Sequence, residues 1–429
     1  DNSRWATSAA FFDYDRDGWL DLVIVNYVDY SPTEKCYDPQ GVREFCGPQS
    51  MAGTATRLFH NLGGLASRQP TNSSHADAAT LRIPGAEMPH PAGTSIQFED
   101  VTVRSGLAAK IGPALGVVCA DFDGDHWPDI FISDDGQPNR LFLNQRNGTF
   151  REEAAPRGVA YNALGNTAAN MGIALGDVDG DGLFDLFVTH LVWEQHTLWK
   201  QGPRGWFQDQ TAAVGLANPA WRGTAFGAVL ADFDADGALD LAYVNGLIKR
   251  GHDPAPRVAG LEPFWSAYAQ RNQLFANDRH GRFRDLSDAN PDFCGRAAVG
   301  RGLACGDLDN DGALDLLAMT AGGPARLFRN VARGRGHWLM IRATDPLRGG
   351  RDAYGAEIVL EAGGRRWWRL LQPGSSFLVS NDPRVHFGLG QLTAVDRIHV
   401  LWPDGAEEDF PGGSVDRLIV LQQGTGRRP

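Results

Sequence analysis

Apolar and polar positions alternate in short runs along this chain, without the sustained 3.6-residue period of long helices. Strand-length apolar stretches recur: LVIV from Leu22, IFIS from Ile130, LFVT from Leu186, LAYV from Leu241 and LLAM from Leu316. Each follows a polar segment of the form D-x-D-x-D-G-x-x-D, at Asp13–Asp21, Asp121–Asp129, Asp177–Asp185, Asp232–Asp240 and Asp307–Asp315. A small residue lies five positions before each segment: Ser8, Gly116, Gly172, Gly227 and Gly302. A third run, LF-x-N, follows at Leu58–Asn61, Leu141–Asn144, Leu274–Asn277 and Leu327–Asn330, with Leu198–Gln201 as a degenerate copy. A fourth, F-x-D-x-T, closes several units, as at Phe98–Thr102 and Phe207–Thr211. Four short strands per unit, punctuated by turns, predict a blade of a β-propeller. A blade cannot bury both faces alone, so neighbours must stack. The small residues suit a first strand at the crowded axis. The predicted fold is therefore all-β: a propeller over 1–335 with five recognisable blades, and a small β domain over 336–429. Blades without the Asp segment, or one preceding residue 1, would raise the number to as many as seven.

The Asp segments carry the chemistry. Positions 1, 3 and 5 place Asp13, Asp15 and Asp17 on one side of a tight turn, as they do Asp121, Asp123 and Asp125. The same holds for Asp177, Asp179 and Asp181, for Asp232, Asp234 and Asp236, and for Asp307, Asp309 and Asp311. Glycine at position 6 permits the positive φ that folds the chain round an ion. The position-7 carbonyls (Trp19, Trp127, Leu183, Ala238, Ala313) and the position-9 carboxylates (Asp21, Asp129, Asp185, Asp240, Asp315) complete an all-oxygen shell. Hard oxygen ligands in that number suit Ca²⁺, so about five Ca²⁺ sites are expected. An EF-hand needs Glu at position 12, where this chain has Ile24, Ile132, Val188, Tyr243 and Ala318. Asp-Gly turns also favour hairpins without any metal. That reading leaves four carboxylates at fixed spacing, in five copies, to repel one another. The second segment departs, with His126 in place of Gly; histidine tolerates left-handed backbone better than most residues.

The formal net charge of −12 follows from these segments, since five divalent ions would offset ten of the negative charges. Lysine is scarce, and no basic stripe with interleaved aromatics points to nucleic acid. No apolar run approaches the ~20 residues of a membrane helix, and no signal-peptide pattern is visible. Cys36 and Cys46 share one loop and are expected to pair in an oxidising compartment, the alternative being two free thiols. Cys119 and Cys305 sit two residues before a repeat Asp and read as buried structural thiols. No Cys/His zinc spacing appears.

The Asp segments with their upstream small residues resemble FG-GAP (VCBS-type) repeats of integrin α-subunits and cartilage acidic proteins. The last ~90 residues resemble an ASPIC/UnbV domain, a resemblance whose reach is that of a domain. It is carried by His337-Trp338-Leu339, Tyr354-Gly355-Ala356, Gly374-Ser375-Ser376-Phe377, His386-Phe387-Gly388-Leu389-Gly390 and Trp402-Pro403-Asp404-Gly405. Arg351-Asp352-Ala353 departs from the Asn-Arg-x-x-Gly stretch more usual there. The resemblance implies an extracellular or periplasmic calcium-binding propeller. UnbV-type proteins also occur in natural-product gene clusters, which keeps an enzymatic reading open.

Successive strand connections alternate between the two propeller faces. The Asp segments share one face, and the enlarged connections share the other: 28–56, 191–197 with Trp193 and His196, and 246–272 with Trp265 and Tyr268. The residue thirteen positions after each segment start is polar: Asn26, Asp134, His190, Asn245 and Thr320. These could ring the axial mouth, with His190 and Asp134 as the candidate acid/base pair, or they could be strand-end turn formers. The 62–96 stretch reads as an insertion on the Asp-segment face. No HExxH, GxSxG, P-loop or dinucleotide fingerprint is present. The expected function is a secreted or periplasmic recognition module with structural Ca²⁺ that binds a protein, a glycan or a small apolar metabolite. The alternatives are a calcium-dependent natural-product tailoring enzyme, of cyclase or isomerase type, acting opposite the Ca²⁺ loops, and a packing module in an assembly.

Overall fold

Each Asp segment is the turn between the first and second strands of an antiparallel sheet, and five such sheets follow one another. A computed structural model describes residues 4–37, 41–63, 97–249 and 257–429. Most of the 62–96 stretch falls outside these. The first sheet runs Ala6–Phe12, Asp21–Asn26, Arg57–Asn61 and Phe98–Asp100 in spatial order. The second runs Ala114–Ala120, Asp129–Gln137, Arg140–Asn144 and Phe150–Glu152, with Ala168–Ala169 added beside its second strand. The third and fourth repeat the four-stranded order from Ile173–Gly176 and from Ala225–Ala231. The fifth has three strands, Gly300–Gly306, Asp315–Thr320 and Arg326–Phe328. The chain is an all-β propeller.

The blades stack as the two-residue strand period requires, each sending one residue row forward and one back. Ala10, Val23 and Leu58 of blade 1 meet Cys119, Ile130 and Phe142 of blade 2. Val118, Phe131 and Leu141 meet Leu186 and Trp199 of blade 3. The pattern continues through Ala174, Phe187 and Leu198 against Leu241 and Phe275, and through Val229 and Ala242 against Leu303 and Leu316. The forward face of blade 5 has no such neighbour among the described residues: Leu317, Met319 and Leu327 are 36%, 43% and 60% exposed. On the opposite end, Phe11 of blade 1 is 43% exposed.

The small residues of the first strands sit where neighbouring first strands touch. A Cβ on Gly172 would lie 2.0 Å from the Phe226 carbonyl oxygen, and one on Gly227 2.4 Å from the Leu303 nitrogen. Any larger residue there would push adjacent blades apart.

From His337 onward the chain folds into two four-stranded sheets around one core that includes Ile341, Ile358, Leu360, Trp367, Phe387, Val400 and Trp402. The strand Arg417–Gln422 pairs parallel to His337–Asp345, whereas the other paired strands of both sheets run antiparallel. This unit sits on the Asp-segment face. Arg351 donates to the Gly18 carbonyl at 2.6 Å, Trp367 Nε1 to the Gly237 carbonyl at 3.0 Å and Arg384 to the Asp307 carbonyl at 2.6 Å.

Its Pro373–Asp382 segment enters the middle of the propeller. Ser376 and Ile173 of blade 3 exchange backbone hydrogen bonds, and the Ser376 hydroxyl donates to the Leu303 carbonyl of blade 5. Phe377 packs among Leu115, Met171, Leu191 and Phe226, from blades 2, 3 and 4. The Gly-Ser-Ser-Phe motif is thus an axial plug.

Candidate metal centres and the opposite face

The same hydrogen bonds recur from loop to loop. The position-1 carboxylate accepts the position-6 N–H: Gly18 to Asp13 at 2.9 Å, His126 to Asp121 at 2.8 Å, Gly182 to Asp177 at 3.0 Å, Gly237 to Asp232 at 2.8 Å and Gly312 to Asp307 at 3.0 Å. The position-5 carboxylate accepts the position-7 N–H, as from Trp19 to Asp17 and Trp127 to Asp125. The position-9 carboxylate is split between two elements. Asp21 accepts from the Tyr14 N–H and from the Asn61 N–H, and Asp129, Asp185, Asp240 and Asp315 do the same from the equivalent residues. The Asn of LF-x-N completes the tie: Asn61 Nδ2 donates to the Leu20 carbonyl and Asn277 Nδ2 to the Leu239 carbonyl. Gln201 does the same to the Phe184 carbonyl, so the degenerate copy keeps the function of the motif.

Position 6 has positive φ throughout, including His126 at 68°. Position 4 does too: Arg16, Gly124, Gly180, Ala235 and Asn310. The sequence pattern revealed the first left-handed position and missed the second, because residue type at position 4 varies while the turn geometry does not.

Position 3 supplies the inward carboxylates. Asp15, Asp123 and Asp179 each leave one buried Oδ1 without a hydrogen-bond partner, as does Asp13. In four of the loops the donor oxygens of positions 1, 3 and 9 come within 4.8 Å of one another: Asp13, Asp15, Asp21; Asp121, Asp123, Asp129; Asp177, Asp179, Asp185; and Asp232, Asp234, Asp240. Without a cation this is costly. Burial and then the Asp21 charge push Asp13 up to about 8; burial pushes Asp240 up to about 8 and Asp232 to about 7. Burial holds Asp129 and Asp185 well above the usual carboxylate range. A divalent cation bound by oxygens removes that cost, and an all-oxygen donor set fits Ca²⁺. These Asp clusters can hold metal ions.

The opposite face differs from the expectation of a polar ring. Asn26, His190 and Asn245 are fully buried and Asp134 is 1% exposed. Asp134 is held by a bidentate pair with Arg140, at 2.7 Å to both Nε and Nη2. His190 is hydrogen-bonded to Thr197 at 3.0 Å and lies against the Ala169 carbonyl, and burial lowers its pKa to about 4. Asn26 and Asn245 donate to the carbonyls of Ala55 and Arg271, and Thr320 to that of Pro324. These residues tie strand ends to the next connection, so His190 and Asp134 are not exposed as an acid/base pair. The axis they were expected to ring is filled by the Phe377 plug.

The same face carries a depression of about 790 Å³ lined by Trp5, Tyr27, Tyr30, Phe45, Phe264 and Tyr268, with Glu34, Arg43 and Glu44 among its polar groups. Cys36 and Cys46 form a disulfide in its wall. Trp5 stands edge-on to both Tyr27 and Tyr30. Trp265 packs against Tyr268 and Phe264 behind it, and Trp193 is 61% exposed outside it. The enlarged connections pointed to this face; Trp5 and Tyr30 could not be assigned to it from spacing, because they come from a strand start and a loop of no fixed length.

Comparison with known proteins agrees with this architecture. The FG-GAP-like repeat family matches residues 121–188, and the ASPIC and UnbV family matches residues 347–428. The chain is a β-propeller protein carrying an FG-GAP-like repeat and an ASPIC/UnbV domain. Beyond that class, it is distantly homologous to cartilage acidic protein 1. It is 29% identical to the Mus musculus protein over 82% of this chain and 61% of that one. It is 28% identical to the Homo sapiens protein over 76% of this chain and 46% of that one. The chain thus spans about half to three fifths of the length of these curated relatives. Among solved structures, similarity is found to a lectin of Agrocybe aegerita that recognises non-reducing terminal N-acetylglucosamine (13% identity, 76% of this chain and 81% of that one, TM-score 0.34). It is also found to the Vibrio cholerae biofilm matrix protein Bap1 (11% identity, 95% and 59%, TM-score 0.33).

Proposed function

We propose that this chain is an extracellular or periplasmic recognition module whose loop metals are structural Ca²⁺ and whose aromatic depression, opposite the loops, binds a glycan. The observation that supports the reading is the depression itself: aromatic faces with carboxylates and one guanidinium at the rim. Apolar ring faces with a few placed polar groups are the usual make-up of a small-ligand site. Sugars offer both an apolar C–H face and hydroxyls for the Glu34, Arg43 and Glu44 side. The disulfide in the wall supports an oxidising compartment. Loop metals sit under the C-terminal unit, so their part is to hold the blade turns. The tailoring-enzyme reading calls for an Asp/His pair within a deep aromatic pocket; His190 and Asp134 are bonded instead to Thr197 and Arg140, and neither lines the aromatic depression.

The test is glycan-array binding of the calcium-loaded chain, followed by calorimetry on any hit. Trp5→Ala and Tyr30→Ala should each weaken binding tenfold or more, while Trp193→Ala, outside the depression, should leave it within about twofold. Absence of any glycan hit, or a hit indifferent to Trp5 and Tyr30, would remove the glycan reading.

A further inference from the structure

The five loops differ at one place that the Asp pattern does not include. The third residue of LF-x-N changes from blade to blade, as His60, Leu143, Lys200, Ala276 and Arg329, and in blades 1, 3 and 5 it reaches the loop of its own blade. In blades 2 and 4 it is apolar. In blade 3, Lys200 is ion-paired with Asp179, and in blade 5, Arg329 lies 2.6 Å from Asp309. Both place a fixed cation against the position-3 carboxylate. Blade 1 alone puts a neutralisable nitrogen donor there. His60 Nδ1 is 3.1 Å from Asp21 Oδ1 and 3.4 Å from Asp15 Oδ2. One donor atom each from Asp15, Asp17 and His60 lies within 4.8 Å of the others, and the Asp13, Asp15, Asp21 group overlaps it through Asp15. Asp13 is 2% exposed and its Oδ1 has no partner.

We infer that the blade 1 loop is a mixed carboxylate–imidazole site that takes a transition-metal ion of the Zn²⁺ or Mn²⁺ class, with His60 Nδ1 as a ligand beside Asp13, Asp15 and Asp21. The inference rests on the reading of the loops as metal sites. Imidazole nitrogen suits Zn²⁺ and other first-row ions, whereas purely oxygen shells suit Ca²⁺ and Mg²⁺. The neighbouring groups favour this loop over the others. In blades 2 and 4 the third-strand residue offers no donor, and Arg146 and Arg279 occupy the position-5 carboxylates at 2.6 and 2.7 Å. In blades 3 and 5 a Zn²⁺ ion would have to displace Lys200 or Arg329. A second metal in the same fold, chosen by one strand residue, would let one blade respond to a metal that the other four ignore.

The experiment uses the full chain at saturating Ca²⁺, dialysed to equilibrium against Zn²⁺ and analysed for both metals. The wild type should retain about one Zn²⁺ that displaces about one Ca²⁺. His60→Leu, which installs the blade 2 residue, should weaken that Zn²⁺ site by at least the roughly 10–100-fold that even an outer-shell change costs, while the other Ca²⁺ remain. His60→Gln serves if the leucine variant fails to fold, and thermal unfolding in Ca²⁺ checks both. Mn²⁺ bound at the site should show nitrogen coupling by pulsed EPR, lost in His60→Leu. Zn²⁺ uptake unchanged by His60 substitution, absence of a Zn²⁺ that exchanges with Ca²⁺, or equal exchange at all loops would overturn the inference. Loss of all Ca²⁺ and Zn²⁺ binding together in the wild type would instead defeat the reading of the loops as metal sites.

Discussion

The two faces of this propeller are built by different rules. The loop face is made five times over from one nine-residue pattern, and each copy closes on itself through the same hydrogen bonds. The opposite face is made once, from insertions with no repeat, a disulfide and aromatics drawn from separate connections. A repeated face is chemically uniform and can be covered, as it is by the C-terminal unit. A face made of unrepeated loops can be specific, because nothing requires its parts to resemble one another. On the function proposed above, stability is concentrated on the first face and recognition on the second.

Chelation should give the largest effect. A ligand bound only by the folded state stabilises it by about 2.7 kcal/mol per site at a hundredfold excess over Kd, and several sites add. Removing Ca²⁺ should therefore lower Tm by tens of degrees. The loop carbonyls of Gly18, Gly237 and Asp307 accept bonds from the C-terminal unit, so that unit and the Phe377 plug should loosen in the same step. Hydrogen exchange at Ser376 and Phe377 would report it. A chelated protein with unchanged Tm and a protected plug would show that the loop face does not depend on metal.

A second effect lies on the insertion side of the blades. Arg140 is 5% exposed and carries both arms of the Asp134 pair, plus a 2.8 Å bond to the Lys110 carbonyl. Arg140→Ala leaves a buried carboxylate unpaired and should cost about 3–5 kcal/mol. The double change Asp134→Leu with Arg140→Met should recover most of it, measured by urea unfolding in Ca²⁺. If the single and double variants are equally unstable, the pair does more than neutralise itself.

How far these faces could be read beforehand follows the same division. The Asp loops, their shared face and the four-strand unit were legible because each residue has a local, repeated task. The position-9 Asp must serve two backbone N–H groups, so it recurs. What the five polar strand ends do was not legible. Asn26, Asp134, His190 and Asn245 look alike in spacing whether they face a ligand or the next connection, and burial alone distinguishes the two. The axial plug was hidden for a different reason. Gly374–Phe377 was visible as a motif, but only the docking of the C-terminal unit shows that it fills the propeller axis.

The pH dependence of the chelated protein sharpens the loop half of the comparison. Asp13, Asp21, Asp232 and Asp240 are raised to about 8, 6, 7 and 8 from an ordinary carboxylate value. Between roughly pH 4 and pH 8 the folded, metal-free state binds more protons than the unfolded chain, so its stability falls as pH rises through that window. Chelated protein should melt higher at pH 5 than at pH 8. Ca²⁺-loaded protein should show the reverse, because protons compete with the ion for the same oxygens. A chelated protein that gains stability toward pH 8 would contradict the burial of these carboxylates.

The disulfide tests the insertion face with the smallest expected change in stability and the largest expected ratio of function lost to stability lost. Cys36 and Cys46 close a short loop, with a sequence separation of 10. A crosslink of that size stabilises by at most about 2–3 kcal/mol through the unfolded chain. The paired Cys36→Ser and Cys46→Ser change should therefore move Tm by only a few degrees in Ca²⁺. The loop it closes carries Arg43, Glu44 and Phe45 into the aromatic depression, and Glu34 lies just before it. Binding there requires those groups to be ordered in advance, so releasing them should weaken ligand affinity well beyond the stability change. Equal proportional losses would mean that the loop is held by its packing and that the disulfide only adds stability. Intact affinity with a large fall in Tm would reverse the comparison, making the insertion face the structural one.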